Sequence, residues 1–243
     1  MKNLLIIFVL LFFPNLSLAD DFKSIKKKAT VTNPKIIFPI QTNEGECSEP
    51  TYHAFVQKID PIETLDAPKG YGLDDRFDQV RSKFEQYSIP CSGGNVQSCE
   101  IVKKIILKWA KADAPKRLKS GDLWNDTLTI NLHINNPMMS AYSFARQLIE
   151  FTSEEEKLIE DWFARTVKRG EHLMYGEKYG DGTGARGVPM SAHNHALSSA
   201  ISHMQLGIIL NDNKLLRKAF RYYEHAIGYP RKNGSLPIEV RRG

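Results

Sequence analysis

The feature that most constrains the fold is the spacing of apolar residues, which follows a helical repeat over most of the chain. From about residue 73 onward, apolar side chains recur three and four positions apart, and no stretch alternates apolar and polar residues as a half-buried strand would. The clearest helical segments are 96–112, a helix after Ser153, 196–210, and a helix after Asn213. Short connections between such helices make antiparallel neighbours. The pattern therefore predicts an all-α fold built from helical hairpins.

Each of these four helices is predicted to bury one face. In chain order the predicted faces are Ile101, Val102, Ile105, Ile106, Trp109 and Ala110; Ile159, Trp162, Phe163 and Val167; Leu197, Ala200, Ile201, Met204 and Ile208; and Leu216, Phe220, Tyr223 and Ile227. Asn95 is expected to cap the first helix, and Ser153 with Glu156 to form a capping box on the second.

The start of the chain has the pattern of an export signal. Lys2 provides a basic residue, residues 4–13 form an unbroken apolar run, and Ser17 to Ala19 supply small residues for cleavage. The run is too short to span a bilayer as a stable helix. Residues 1–19 are therefore predicted to be a signal peptide of a periplasmic or secreted protein. Five prolines between positions 34 and 68 predict an irregular arm over residues 20–72, followed by one helical domain over residues 73–243.

The charge of the chain limits its class of binding partner, and the cysteine spacing limits the role of its cysteines. A formal net charge of +5 is modest for a nucleic-acid-binding protein, and export argues against that class as well, whereas a mild positive excess suits an acidic polymer. Cys47, Cys91 and Cys99 are not spaced as zinc ligands. In an oxidising compartment one disulfide is expected, and we favour Cys47–Cys99, which would tie the arm to the first strong helix; the other pairings stay open.

Three motifs together resemble one enzyme family. They are His193-Asn194-His195 at the start of a helix, the segment Leu158 to Arg165 with its Glu-Asp-Trp-Phe-Ala-Arg sequence, and the Leu-Pro-x-Glu-x-x-Arg element at Leu236 to Arg242. They resemble the alginate lyases of the mannuronate-lyase type, which fold as an incomplete α/α toroid. His195 and Arg242 also have the family's separation of 47 positions between its catalytic histidine and arginine.

The resemblance implies a polysaccharide lyase that cleaves alginate by β-elimination, with Asn194, His195 and Arg242 as catalytic residues. It implies substrate-binding roles for Lys69 and Tyr71 in a lid segment of the arm, for Asn125, and for His193. It further implies a monomer that needs no metal or cofactor. The family's catalytic tyrosine comes seven positions after the arginine and so falls beyond Gly243, so we expect the toroid to be truncated. The aromatic pair that usually follows the family's histidine is also absent.

Three alternatives stay open. A non-catalytic polyuronate-binding protein would keep the groove and lose the chemistry. An inverting glycosidase would need two carboxylates across a water molecule, for which Glu160, Asp161 and Glu239 are candidates. His193, His195 and His203 raise a zinc site, although no carboxylate stands at ligand spacing beside them.

Overall fold

The computed structural model describes residues 29–38, 59–65, 74–118, 129–171, 183–184, 188–189 and 194–227. Over these residues the fold is almost entirely helical: α1 is Asp75–Ser92, α2 is Val96–Ala112, a π-helix spans Asn131–Asn135, α3 is Asn136–Ala145, α4 is Ser153–Glu171, α5 is Asn194–Ile209 and α6 is Asn213–Ile227. Two pairs of two-residue strands complete it: β1 (Thr64–Leu65) lies parallel to β2 (Arg117–Leu118), and β3 (Thr183–Gly184) lies antiparallel to β4 (Val188–Pro189).

The helix starts follow from side-chain caps. Asn95 Oδ1 accepts a hydrogen bond from the Ser98 amide at 2.9 Å, so the predicted cap of α2 is confirmed. The capping box of α4 lies one residue earlier than predicted: Thr152 Oγ1 accepts from the Glu155 amide at 3.2 Å, and Glu155 accepts from the Thr152 amide at 2.9 Å. The prediction from Ser153 and Glu156 was wrong because Ser153 is already inside the helix, as its first residue.

The faces predicted for α2 and α4 are confirmed. Trp109, Trp162 and Phe163 are fully buried, and the two tryptophans lie in one continuous apolar core with Phe77 and Tyr142. Trp162 Nε1 also donates to the Ala114 carbonyl at 2.8 Å, at the turn that follows α2. Large side chains on neighbouring helices therefore pack tightly around the α2–α4 contact.

The faces predicted for α5 and α6 were partly wrong. Ile201 is 46% exposed, and Tyr223 is 37% exposed, whereas the neighbouring Ser202 and Tyr222 are buried. The physical reason is that α5 turns a largely polar face inward, where its hydroxyls find hydrogen-bonding partners on the π-helix and α3. A prediction that buries only apolar residues places such a face on the outside.

The disulfide joins Cys91 to Cys99, so the favoured pairing of Cys47 with Cys99 was wrong. Cys91 lies in the last turn of α1 and Cys99 in the first turn of α2, and both are buried. Their Cα atoms are 4.8 Å apart, within the range that a disulfide requires. The turn between the two helices, at Gly93 and Gly94, brings the cysteines this close. Cys47 lies outside the described residues.

Residues 29–38 of the arm pack across the helical domain. The Lys35 amide donates to the Ile208 carbonyl at 3.0 Å, and the Ile37 amide donates to Ser143 Oγ at 2.6 Å. Lys35 Nζ lies 2.6 Å from Glu156 and 2.9 Å from Glu160 on α4. Residues 29–38 form no helix or strand and are fixed to α3, α4, α5 and α6. Within the described ranges, no helix is long and apolar enough to cross a membrane.

Candidate functional site

The structure places two of the predicted site residues next to each other at one helix end. Asn194 and His195 are the first two residues of α5. The first turn of a helix has amide groups without intrahelical partners and a partial positive charge, and both favour an anionic group nearby. This is an appropriate place for residues that would contact a sugar carboxylate. The other predicted site residues lie outside the described residues; they are Lys69, Tyr71, Asn125, His193 and Arg242.

A group of polar side chains that we call the polar seam joins this helix to its neighbours. It is formed by Asn131, Asn135, Ser198 and Ser202, which are buried, and by Asn136, which is half-buried. Asn136 Nδ2 donates to both the carbonyl and the hydroxyl oxygen of Ser198, each at 3.3 Å. Ser202 Oγ lies 2.5 Å from Asn136 Oδ1 and 3.0 Å from Asn131 Oδ1, and Asn135 Nδ2 donates to Asn131 Oδ1 at 2.9 Å. The seam therefore connects α5 to the π-helix and to the start of α3.

Apolar periodicity does not reveal the seam, although the sequence contains a signal for it. Three asparagines fall within positions 131–136, and serines recur at 198, 199 and 202, at helical spacing within α5. Polar residues at helical spacing on a buried helix need partners, so two such sets predict a contact between them. The structure adds a second indication, because π-helical turns frequently occur at functional sites.

His203 lies two turns into α5, and its ring is fixed by contacts with Ser199 and Tyr222. Its Nδ1 is 2.8 Å from the Ser199 carbonyl oxygen, and its ring contacts Tyr222 edge-on at 5.0 Å between centroids. Burial lowers the pKa of His203, so the neutral imidazole is the stable form. Within the described part of the chain, no three histidine, cysteine or acidic side chains are grouped so that they could hold a metal ion.

A second buried histidine lies on the π-helix. His133 is 2% exposed, and its Nδ1 is 3.5 Å from Asp78 on α1. Burial lowers the pKa of His133, and the Asp78 carboxylate offsets this only in part. The two buried histidines therefore share a neutral state at pH 7, and neither supplies a positive charge to the start of α5.

The carboxylates considered for a glycosidase are engaged in other contacts. Glu160 accepts from the Tyr142 hydroxyl at 3.3 Å and is paired with Lys35 at 2.9 Å. Asp161 is paired with Lys157 at 3.1 Å on the exposed side of α4. Glu160 and its neighbour Glu156 both pair with Lys35 Nζ, so a lysine lies between these two carboxylates, where hydrolysis with inversion requires a water molecule. Glu239 lies outside the described residues.

Comparisons with known proteins agree on one family. A sequence profile of the family described as alginate lyase matches residues 100–243, more than half of the chain. Among solved structures, alginate lyase A1-III from Sphingomonas species A1 is similar, with a TM-score of 0.52 and 16% identity over 92% of this chain and 62% of that chain. No curated protein sequence matches the chain.

Two further structures of alginate lyase A1-III complexed with a tetrasaccharide are also similar. One has a tyrosine replaced by phenylalanine, and it gives a TM-score of 0.62 and 16% identity over 90% of this chain and 65% of that chain. The other has a histidine replaced by alanine. It gives a TM-score of 0.57 and 15% identity over 92% of this chain and 62% of that chain. The chain thus spans less than two thirds of the length of these structures. The shared fold confirms the all-α prediction and is the fold that the resemblance implied.

Proposed function

Because the chain belongs to the alginate lyase family, we propose that it is a polysaccharide lyase that cleaves 4-linked uronate polymers, mannuronate-rich alginate in particular, by β-elimination. The observation that carries the proposal is the family match over residues 100–243, which includes Asn194, His195 and Arg242. The first two of these residues open a helix that is packed into the core of the family's fold.

The reaction explains why these residue types are needed. β-Elimination removes the C5 proton next to the sugar carboxylate, and that proton is too weakly acidic while the carboxylate keeps its full charge. Asn194, His195 and Arg242 are donors that stabilise the enolate-like anion as it forms, the kind of electrostatic help that is worth most in an active site. A base then takes the C5 proton and an acid protonates the leaving O4, work in which His195 takes part.

The proposed substrate is an anionic polysaccharide bound along a groove. Lys69, Tyr71, Asn125 and His193 are its proposed binding residues, and the positive net charge of the chain favours such a partner. Alginate lyase A1-III complexed with a tetrasaccharide supports binding over several sugar units. The proposed protein is a monomer that uses neither metal nor cofactor, and it binds neither nucleic acid nor membrane after cleavage of its signal peptide.

The proposed organisation has three parts. Residues 1–19 direct export to the periplasm or the medium, residues 20–72 form the arm and lid, and residues 73–243 form the toroid domain. Mass spectrometry of the exported protein tests the first boundary, because cleavage after Ala19 predicts Asp20 as the new N-terminus. An N-terminus at Met1 in the exported protein would contradict it.

The decisive experiment incubates the protein with mannuronate-rich alginate in the presence of a chelator. Elimination creates a conjugated double bond, so the ultraviolet absorbance of the mixture should rise. Hydrolysis would raise reducing ends without that signal. Binding of the polymer without either change would replace the lyase by the binding-protein alternative.

Substitutions in the same assay test the individual roles. His195→Ala and Arg242→Ala each remove a donor to the developing anion, so each should lower turnover on the order of a hundredfold. Arg241→Ala is the matched control, because it removes the same charge one residue away from the family's spacing and should leave turnover within about twofold. Equal losses at positions 241 and 242 would show that only the local charge matters.

A further inference from the structure

The face of α5 that carries position 195 is the face that meets the polar seam. Positions 195, 198 and 202 are separated by three and four residues, so they lie on one side of a helix. Ser198 and Ser202 are 4% and 0% exposed, and their contacts lead to Asn136 and Asn131. The first turn of α5 therefore stands directly above the seam rather than on an unrelated side of the helix.

The hydrogen bonds of the seam hold α5 in both rotation and translation. Asn136 uses one amide group to reach the Ser198 carbonyl and hydroxyl, one turn beyond Asn194. The single hydroxyl hydrogen of Ser202 goes to Asn136 Oδ1, the nearest acceptor at 2.5 Å. These bonds are directional, whereas apolar contacts tolerate sliding, and a rotation of about 10° moves a side-chain tip roughly 1 Å at the radius of a helix with its side chains.

The seam is itself fixed from a third side. A Cβ atom added at Gly170 of α4 would lie 2.9 Å from Asn131 Oδ1 and 3.1 Å from Ile130, so the backbone of α4 presses against this amide. Asn131 is 1% exposed and also receives the hydrogen bond of Asn135. The π-helix, α3, α4 and α5 thus meet at one buried polar group. Its rigidity matters most for α5, because the first turn of α5 carries Asn194 and His195.

We propose that Ser202 and Asn136 are positioning residues for the reaction, acting through the first turn of α5 to hold His195 and Asn194 in register with the substrate. The proposal rests on the proposed function and adds to it residues that touch no substrate. A misplacement of about 1 Å is enough to cost on the order of a hundredfold in rate, so loss of the seam should lower kcat far more than it changes KM.

Ser202→Ala tests the proposal, with Ser199→Ala as the matched control. Both serines are on α5 and both are 0% exposed, but the Ser199 hydroxyl has no hydrogen-bond partner among the described residues. We expect Ser202→Ala to lower kcat about tenfold or more, with KM within about twofold and the protein still fully folded at the assay temperature. Ser199→Ala should leave kcat unchanged. Asn136→Ala should repeat the Ser202→Ala effect, and the double variant should add little, because both changes remove the same contact.

Hydrogen–deuterium exchange provides a readout that does not need activity. Amides of the first two turns of α5 should exchange faster in Ser202→Ala than in wild type, while Ser199→Ala keeps the wild-type pattern. A wild-type protein without the ultraviolet signal would overturn the proposed function itself. An active wild type with unchanged kcat in Ser202→Ala, or an equal loss in Ser199→Ala, would overturn the positioning role alone.

Discussion

The contact between α2 and α4 and the contact of α5 with its neighbours are two different ways to bury a helix. The first is apolar: Trp109, Trp162 and Phe163 fill it, and none is exposed. The second is largely polar, with Ser198, Ser202 and His203 turned inward. An apolar contact stabilises in proportion to the area that it buries, whereas a polar contact contributes little net stability but fixes geometry through its hydrogen bonds. The comparison therefore predicts that stability resides mainly in the first region and precision in the second.

The largest expected effect is in the apolar region. Trp162→Ala removes a fully buried ring that contacts Phe163 at 4.9 Å between centroids, and it leaves the Ala114 carbonyl without its donor. We expect the free energy of unfolding to fall by about 3–5 kcal/mol, measured by urea denaturation. Ser202→Ala, by contrast, should cost no more than about 1–2 kcal/mol. Similar losses in the two variants would erase the distinction between the regions.

A smaller effect is expected where α5 meets α6. A Cβ atom at Gly207 would lie 2.8 Å from the Leu216 amide nitrogen and 3.3 Å from the Asp212 carbonyl oxygen, and backbone atoms there have little room to move. Gly207→Ala should therefore destabilise by about 1–3 kcal/mol, despite the roughly 1 kcal/mol that alanine gains in a helix. Gly93→Ala is the control, because its nearest contact is an ordinary 3.5 Å. A stabilised Gly207→Ala protein would show that the two helices are not this close.

The smallest expected effect tests which face of α5 is buried, by comparison with α2. Ile106 is fully buried on α2, and Ile201 is 46% exposed on α5, so the same change to valine should act differently at the two positions. Ile106→Val should cost about 0.5–1.5 kcal/mol, and Ile201→Val should stay within about 0.5 kcal/mol. Thermal denaturation of the two variants in parallel measures the difference. Equal losses of stability in the two variants would show that Ile201 is buried, as the apolar periodicity of α5 predicted.

Apolar periodicity was sufficient to predict the helical fold and the packing of α2 and α4, because apolar residues have no other way to leave water. It failed on α5 because Ser198 and Ser202 are buried only by virtue of partners some 60 positions away. The predicted disulfide pairing was wrong for a related reason. Whether Cys91 meets Cys99 depends on the turn between two helices, which the cysteine spacing does not reveal. The site residues were selected by resemblance, and their placement at the start of α5 is described only for Asn194 and His195.

The contacts of residues 29–38 have a consequence for the order in which the protein is made. The Val31 amide donates to Asn213 Oδ1 at 2.7 Å, and Lys35 reaches the Ile208 carbonyl, so these early residues are paired with some of the last described ones. At ribosomal speeds of about 5–20 residues per second, Asn213 is made roughly 10–40 s after Val31. Val31 therefore waits for its partner on α6 long after Ser143 and Glu156 are available to the same arm, and closing the arm onto α5 and α6 is a late, long-range step of folding.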